Sequence, residues 1–159
     1  MPALATAAES PVRSDSRDTR TPHLSTYMPP RLDPATAPAV LVAEDHEDSR
    51  DALCTLLDAL GYRVLVATNG AEAVEVARAH RPDLILMDMM MPGVDGFQAT
   101  RTLRADEAFR TVPIVAVTAM EGARDAVLAA GCSDCVAKPL DIRAFMERLR
   151  AWLPVTKPN

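Results

Sequence analysis

At 159 residues, 48% of them apolar and 25% charged, the chain has room for one ordinary soluble domain and a tail. A net charge of −5 and a pI near 5.1 speak against a nucleic-acid surface, which would be basic. No apolar run approaches the roughly 18–20 residues that span a bilayer. The opening residues lack a basic stretch leading into an apolar core, and three cysteines make no disulfide framework. A reducing, cytoplasmic setting is the expectation.

Residues 1–37 are rich in Ala, Pro, Ser, Thr and Arg, and "TYMPPRLDPATAP" alone holds four prolines. With no hydrophobic period, this stretch is expected to be a disordered, solvated tail. A packed domain is expected over 38–154, with 155–159 a short C-terminal tail and no second domain. "AVLVAED" reads as a short buried strand ended by acids. In "SRDALCTLLDALGY", Leu53, Leu56, Leu57 and Leu60 form one helical stripe, stopped by Gly61. "RVLVAT" is a second strand, and Asn69 with Glu72 reads as a capping box opening the helix "AEAVEVARAH". "DLILMD" is the third strand, and Asp95 with Gln98 repeats the capping signal before "FQATRTLRAD". "VPIVAVTA" is the fourth, followed by the alanine-rich helix "GARDAVLAAG". "DCVAK" is a short fifth strand. Asp141 then caps a helix whose buried stripe is Ile142, Phe145, Met146 and Leu149, extended by Trp152 and Leu153. Five strand–helix units in strict alternation predict an α/β fold, a doubly wound parallel sheet with helices on both faces.

In such a sheet the ligand site lies outside the carboxyl ends of the strands. Glu44 and Asp45 end the first strand, Asp88 the third, Thr118 the fourth and Lys138 the fifth. Clustered carboxylates repel one another and need a cation. An all-oxygen set without His or Cys suits a hard divalent ion, Mg²⁺ first. Mg²⁺ is often completed by substrate phosphate, to which Lys138 offers a point charge and Thr118 a hydroxyl. A carboxylate is a competent nucleophile for making an aspartyl phosphate.

These residues, set in "ED" at 44–45, "LILMDMMMPGVDG" around Asp88, "VTA" at 117–119 and "AKP" at 137–139, resemble the receiver domain of two-component signalling. The resemblance runs from about Pro38 to Leu153. It implies the (βα)5, flavodoxin-like fold of the chemotaxis response regulator, with strand order 2-1-3-4-5. It also implies that Asp88 accepts a phosphoryl group from a histidine kinase or a histidine phosphotransfer protein. The stand-alone receiver would then signal by phosphorylation-dependent binding of a downstream protein target, or pass the group onward. Further implications are Mg²⁺ bound directly by Asp45, Asp88 and the Met90 carbonyl, with Glu44 helping through water. Thr118 would move toward the phosphoryl group, with Ala119 in the loop behind it. Lys138 would pair with that group, and the Lys138–Pro139 peptide would be cis. One departure stands out. The family usually has Tyr or Phe where this chain has Cys135, so output is expected to rest on the loop after the fourth strand. The resemblance also implies that the side chains at positions 90 and 120 border the approach of a hydrolytic water; here they are Met90 and Met120, which offer it no hydrogen bond, so a long-lived phosphoryl group is expected.

Plainer readings stand beside these. Glu44 and Asp45 also suit the positive end of the first helix dipole. Cys132 and Cys135 spell C-x-x-C, but zinc needs four ligands and a thioredoxin-type motif opens a helix, not a strand. Cys54 reads as core, His46 as exposed at a helix start, His80 as a charge complement at a helix end, and Met89, Met90 and Met91 as packing and loop residues. A phosphohydrolase with an Asp nucleophile would need an acid–base carboxylate where Met90 stands. A pseudo-receiver that never sees phosphate is the alternative reading, and the five intact site residues speak against it. No DNA-binding domain follows, so neither nucleic-acid binding nor membrane insertion is expected. No enzyme activity is expected beyond the chain's own phosphorylation and dephosphorylation.

Overall fold

A computed structural model describes residues 32–153. Five short parallel strands form one sheet: β1 (Ala39–Ala43), β2 (Arg63–Ala67), β3 (Leu84–Asp88), β4 (Ile114–Thr118) and β5 (Asp134–Ala137). Their order is β2-β1-β3-β4-β5, as the resemblance implies. Between them run α1 (Glu47–Ala59), α2 (Gly70–His80), α3 (Gly96–Arg104) and α4 (Arg124–Ala130), and α5 (Ile142–Trp152) closes the unit. Right-handed crossovers dictate the layers. The chain steps from β1 outward to β2, then reverses across β1 to β3, which puts α1 and α5 on one face and α2, α3 and α4 on the other.

Alternation along the central strands serves both layers at once. Leu41, Ile85, Met87 and Ile114 face the α2–α4 core with Ala73, Ala77, Leu103 and Phe109. Val40, Val42, Leu84, Leu86 and Val115 face the α1–α5 core with Leu53, Leu57, Phe145 and Leu149. The caps expected at Asn69, Asp95 and Asp141 all form, each accepting from the backbone N–H three residues on. At the first of these, the Glu72 carboxylate accepts the Thr68 hydroxyl.

The structure revises three expectations. Ile142 is not part of the buried stripe: it is 51% exposed. It is the first residue after the cap, a turn ahead of the point where α5 enters the core at Phe145. α1 begins at Glu47, two residues before the stretch read as helical, so its N-cap is His46. Packing also begins ahead of Pro38. Asp33 closes a turn onto Ala35 and Thr36, Leu32 packs against the α1–α5 core, and Ala37 is buried. Residues 1–31 and 154–159 lie outside the described residues, so the tails read there are not described.

Candidate functional site

The reversal between β1 and β3 opens a crevice at the carboxyl edge of the sheet. β3 delivers Asp88 as its last residue and β4 delivers Thr118 as its last; both are buried. β1 and β5 stop one residue short, so Glu44, Asp45 and Lys138 sit on the loops just beyond them. One oxygen from each of Glu44, Asp45 and Asp88 lies within 4.8 Å of the others. Glu44 is only 2% exposed, whereas Asp45 reaches solvent.

Lys138 ties the cluster together. Its Nζ donates to Glu44 Oε2 at 2.6 Å and to Asp88 Oδ2 at 3.5 Å. The other Glu44 oxygen accepts the His46 N–H at 3.1 Å, and Asp88 Oδ1 accepts the Met90 N–H at 3.0 Å. The Asp88 carboxyl is pushed up to about 6, by burial first and by Glu44 as well, against the lowering effects of the Met90 N–H and Lys138. Burial works against the Lys138 ammonium too, but Glu44 and Asp88 outweigh it and hold the lysine above its ordinary value. The charged lysine is therefore locked in by two carboxylates.

The loops are held from outside the chemistry. Thr118 Oγ1 accepts the Met120 N–H at 3.1 Å, and the Thr118 carbonyl accepts the Lys138 N–H at 2.9 Å. The Lys138–Pro139 peptide is cis, as implied. Gly96 opens α3 against the end of β3; a Cβ there would stand 2.3 Å from the Asp88 carbonyl oxygen, so any side chain would push the Asp88 loop away. Met89 and Met91 are buried, but Met90 is 62% exposed at the rim, and Met120 is exposed as well. Cys135 is half-buried against the α2–α4 core.

Sequence reasoning missed Arg50. It donates to the carbonyl of Glu44 at 3.2 Å and, more weakly, to that of Asp45 at 3.5 Å, bracing the loop that carries both acids. The signal was legible: Arg50 is a cation in the first turns of a helix, where the dipole favours acids. The C-x-x-C pair gains no support as a redox site. Burial raises the thiols of Cys132 and Cys135, which disfavours the reactive thiolate. Cys54 likewise packs against the α1–α5 core. His80 lies in the last turn of α2, at the negative end of the helix dipole.

Known proteins agree with this picture. The response regulator receiver domain model matches residues 40–150. The polar-differentiation response regulator DivK of Brucella anthropi is 38% identical over 117 residues, covering 72% of this chain and 95% of DivK. Among solved structures, the receiver domain of a sensor histidine kinase from Pseudomonas aeruginosa, with magnesium coordinated in its active site cleft, is 39% identical. It superposes with a TM-score of 0.68, covering 73% of this chain and 97% of that one. The receiver domain of the Saccharomyces cerevisiae response regulator Ssk1, crystallised with the histidine phosphotransfer protein Ypd1, is 27% identical, with a TM-score of 0.68. That match covers 73% of this chain and 88% of Ssk1's. Among the described residues no helix is long and apolar enough to cross a membrane. By its fold, its crevice of carboxylates with one lysine and these relatives together, the chain belongs to the response regulator receiver domains of two-component signalling.

Proposed function

We propose that this receiver accepts a phosphoryl group on Asp88 from a protein phosphohistidine, with Mg²⁺, and signals through a protein partner. The observation that carries the reading is the convergence of Glu44, Asp45, Asp88 and Lys138 on one crevice, with Thr118 at the end of the adjoining strand. In the transfer an Asp88 oxygen attacks phosphorus. The P–O bond forms as the P–N bond breaks, and the departing imidazole nitrogen keeps the electron pair and takes a proton from water. Of the two Asp88 oxygens, Oδ1 accepts the Met90 N–H at 3.0 Å and Oδ2 meets Lys138 only at 3.5 Å, so Oδ2 is the less tightly held.

The residues fit a hard divalent cation: three carboxylates offering oxygens within 4.8 Å of one another, and neither His nor Cys among them. Asp45, Asp88 and the Met90 carbonyl would hold it directly. Glu44, whose two oxygens are already bonded to Lys138 and His46, would act through water. Bound Mg²⁺ supplies neutralisation of charge on the phosphoryl oxygens. Lys138 and the Thr118 hydroxyl would take the remaining oxygens of the phosphorylated state.

The donor has to cover the crevice, and an apolar groove of about 450 Å³ runs beside it. Leu53 and Leu56 of α1 face Pro139, Leu140 and Ile142 across the groove, which shares Lys138 and Ala119 with the crevice. The exposed Ile142 is accounted for if a donor's apolar surface seats there. Incubating the protein with a small phosphodonor and with phosphorylated histidine phosphotransfer proteins, then locating the label, tests the reading. Label on Asp88, lost in Asp88→Asn, supports it. Absence of label from every donor would instead favour the pseudo-receiver alternative.

A further inference from the structure

α4 is held firmly at one end and loosely at the other. At its C-terminus Gly131 adopts a left-handed conformation (φ 113°), and its N–H and that of Cys132 return to the carbonyls of Leu128 and Val127. The Gly131 carbonyl accepts Arg104 Nε at 2.7 Å. The same guanidinium binds the carbonyls of Phe109 and Val112 and the Ser133 hydroxyl, so this end is clamped to three neighbouring segments. At the N-terminus, Ala123 is buried against the α2–α4 core but provides no side-chain cap, and Gly122 before it has φ 68° with open space around it. There the side-chain tie is Arg124 to Asp134 Oδ1, at 3.3 Å on the surface.

Asp134 serves more than α4. Its carboxylate also accepts Arg148 at 2.5 Å and the indole N–H of Trp152 at 3.1 Å, both on α5. Arg148 lies over the Trp152 ring, 5.4 Å from its centre. One carboxylate at the start of β5 thus joins the loose end of α4 to α5. The other end of this path begins at the site. Thr118 Oγ1 holds the Met120 N–H, so any shift of Thr118 toward a phosphoryl group drags the loop that leads through Gly122 to Arg124.

We infer that Asp134 is the readout residue of this receiver: its ion pair with Arg124 transmits movement of the Thr118 loop to Arg148 and Trp152 on α5. The inference rests on the reading of Asp88 as phosphoacceptor. It gives this chain a route to α5 that does not need an aromatic side chain at position 135. An exposed ion pair biases an equilibrium by up to about five-fold, which is small enough for the contact to break and reform as a switch requires. Both partners of such a contact must respond to it for the coupling to be real.

The chain has a single tryptophan, so its emission reports on Trp152 alone. The experiment is steady-state emission of the full chain before and after beryllofluoride with Mg²⁺, with labelling by a small phosphodonor measured in parallel. Wild type should show a change in emission. In Arg124→Gln the change should fall roughly three-fold or more, with labelling unaltered, and Arg124→Lys should restore it. Labelled wild type with unmoved emission overturns the inference, as does full amplitude in Arg124→Gln. Loss of labelling in Arg124→Gln also overturns it, because Arg124 would then serve phosphoryl acceptance. If wild type takes no label on Asp88 at all, the phosphoacceptor reading fails and takes this one with it.

Discussion

Replacing Asp88 by asparagine should make the metal-free protein more stable, although it removes the residue on which the proposed chemistry depends. Asp88 and Glu44 are buried side by side with one lysine between them. Burial first, and Glu44 after it, raise the Asp88 carboxyl from 3.8 to about 6. For an acid whose folded value is raised, the fold favours the proton. The penalty is absent below the unfolded value, grows as pH rises between the two, and is complete above about 6. At about 1.4 kcal/mol per pH unit, this amounts to about 3 kcal/mol at neutral pH. Lys138 loses its second partner in the variant, so roughly half of that should survive, about 1–2 kcal/mol. For a domain of this size the melting temperature should rise by about 4–8 °C. Mg²⁺ should reverse the order, because a ligand held at 100 times its Kd adds about 2.7 kcal/mol to the protein that binds it. Thermal melts in chelator and in saturating Mg²⁺, for both proteins, are the assay. A variant that melts below wild type in chelator, or that gains as much from Mg²⁺, would refute the reasoning.

Asp45→Ala should abolish labelling by a small phosphodonor even at millimolar Mg²⁺; normal labelling would remove Asp45 from the metal site. Met90→Asn should shorten the life of the phosphoryl group several-fold, because an amide at the rim can orient the water that the exposed thioether cannot; an unchanged hydrolysis rate counts against the shielding by Met90 and Met120. Cys135→Tyr should alter partner affinity more than phosphoryl lifetime, and binding titrations beside hydrolysis time courses separate the two. Leu32→Ser should lower stability by about 1–2 kcal/mol by exposing a side chain packed on the α1–α5 core; an unchanged melting curve would show that the core does not depend on that contact.

Much of the fold was legible because parallel strands buried on both faces write themselves as short aliphatic runs. "AVLVA", "LILMD" and "IVAVT" are buried throughout. The site was legible because a carboxylate or a lysine at the end of such a run has no packing reason to be there. What escaped was geometry that composition does not encode. Ile142 lies in phase with Phe145 and Leu149, and periodicity alone cannot tell that the first turn of α5 projects beyond the core. Leu32 follows two prolines and looks like tail, yet its contact is with a turn distant in sequence, at Gly61. The pairing of Lys138 was read only in part. The sequence brings it to the carboxylate edge as a partner for a phosphoryl group, but which of three carboxylates it meets most closely depends on distances, and at 2.6 Å it is Glu44.

That preference orders the proposed chemistry. With Lys138 drawn to Glu44, Asp88 is the less neutralised of the two buried carboxylates, consistent with its raised pKa. Asp88 is ionised at neutral pH but at a cost set by its burial, and a cation held by Asp45 and Asp88 would offset that cost. Once phosphorylated, Asp88 brings new anionic oxygens to the crevice, and charge-assisted hydrogen bonds to such oxygens are roughly twice as strong as neutral ones. Lys138 then has reason to turn from Glu44 toward the phosphoryl group, and Thr118 has reason to follow from the neighbouring strand. The Met120 N–H held by Thr118 makes that second movement the one that leaves the crevice. The lysine's exchange stays local, whereas the threonine's pulls on the loop that leads to α4.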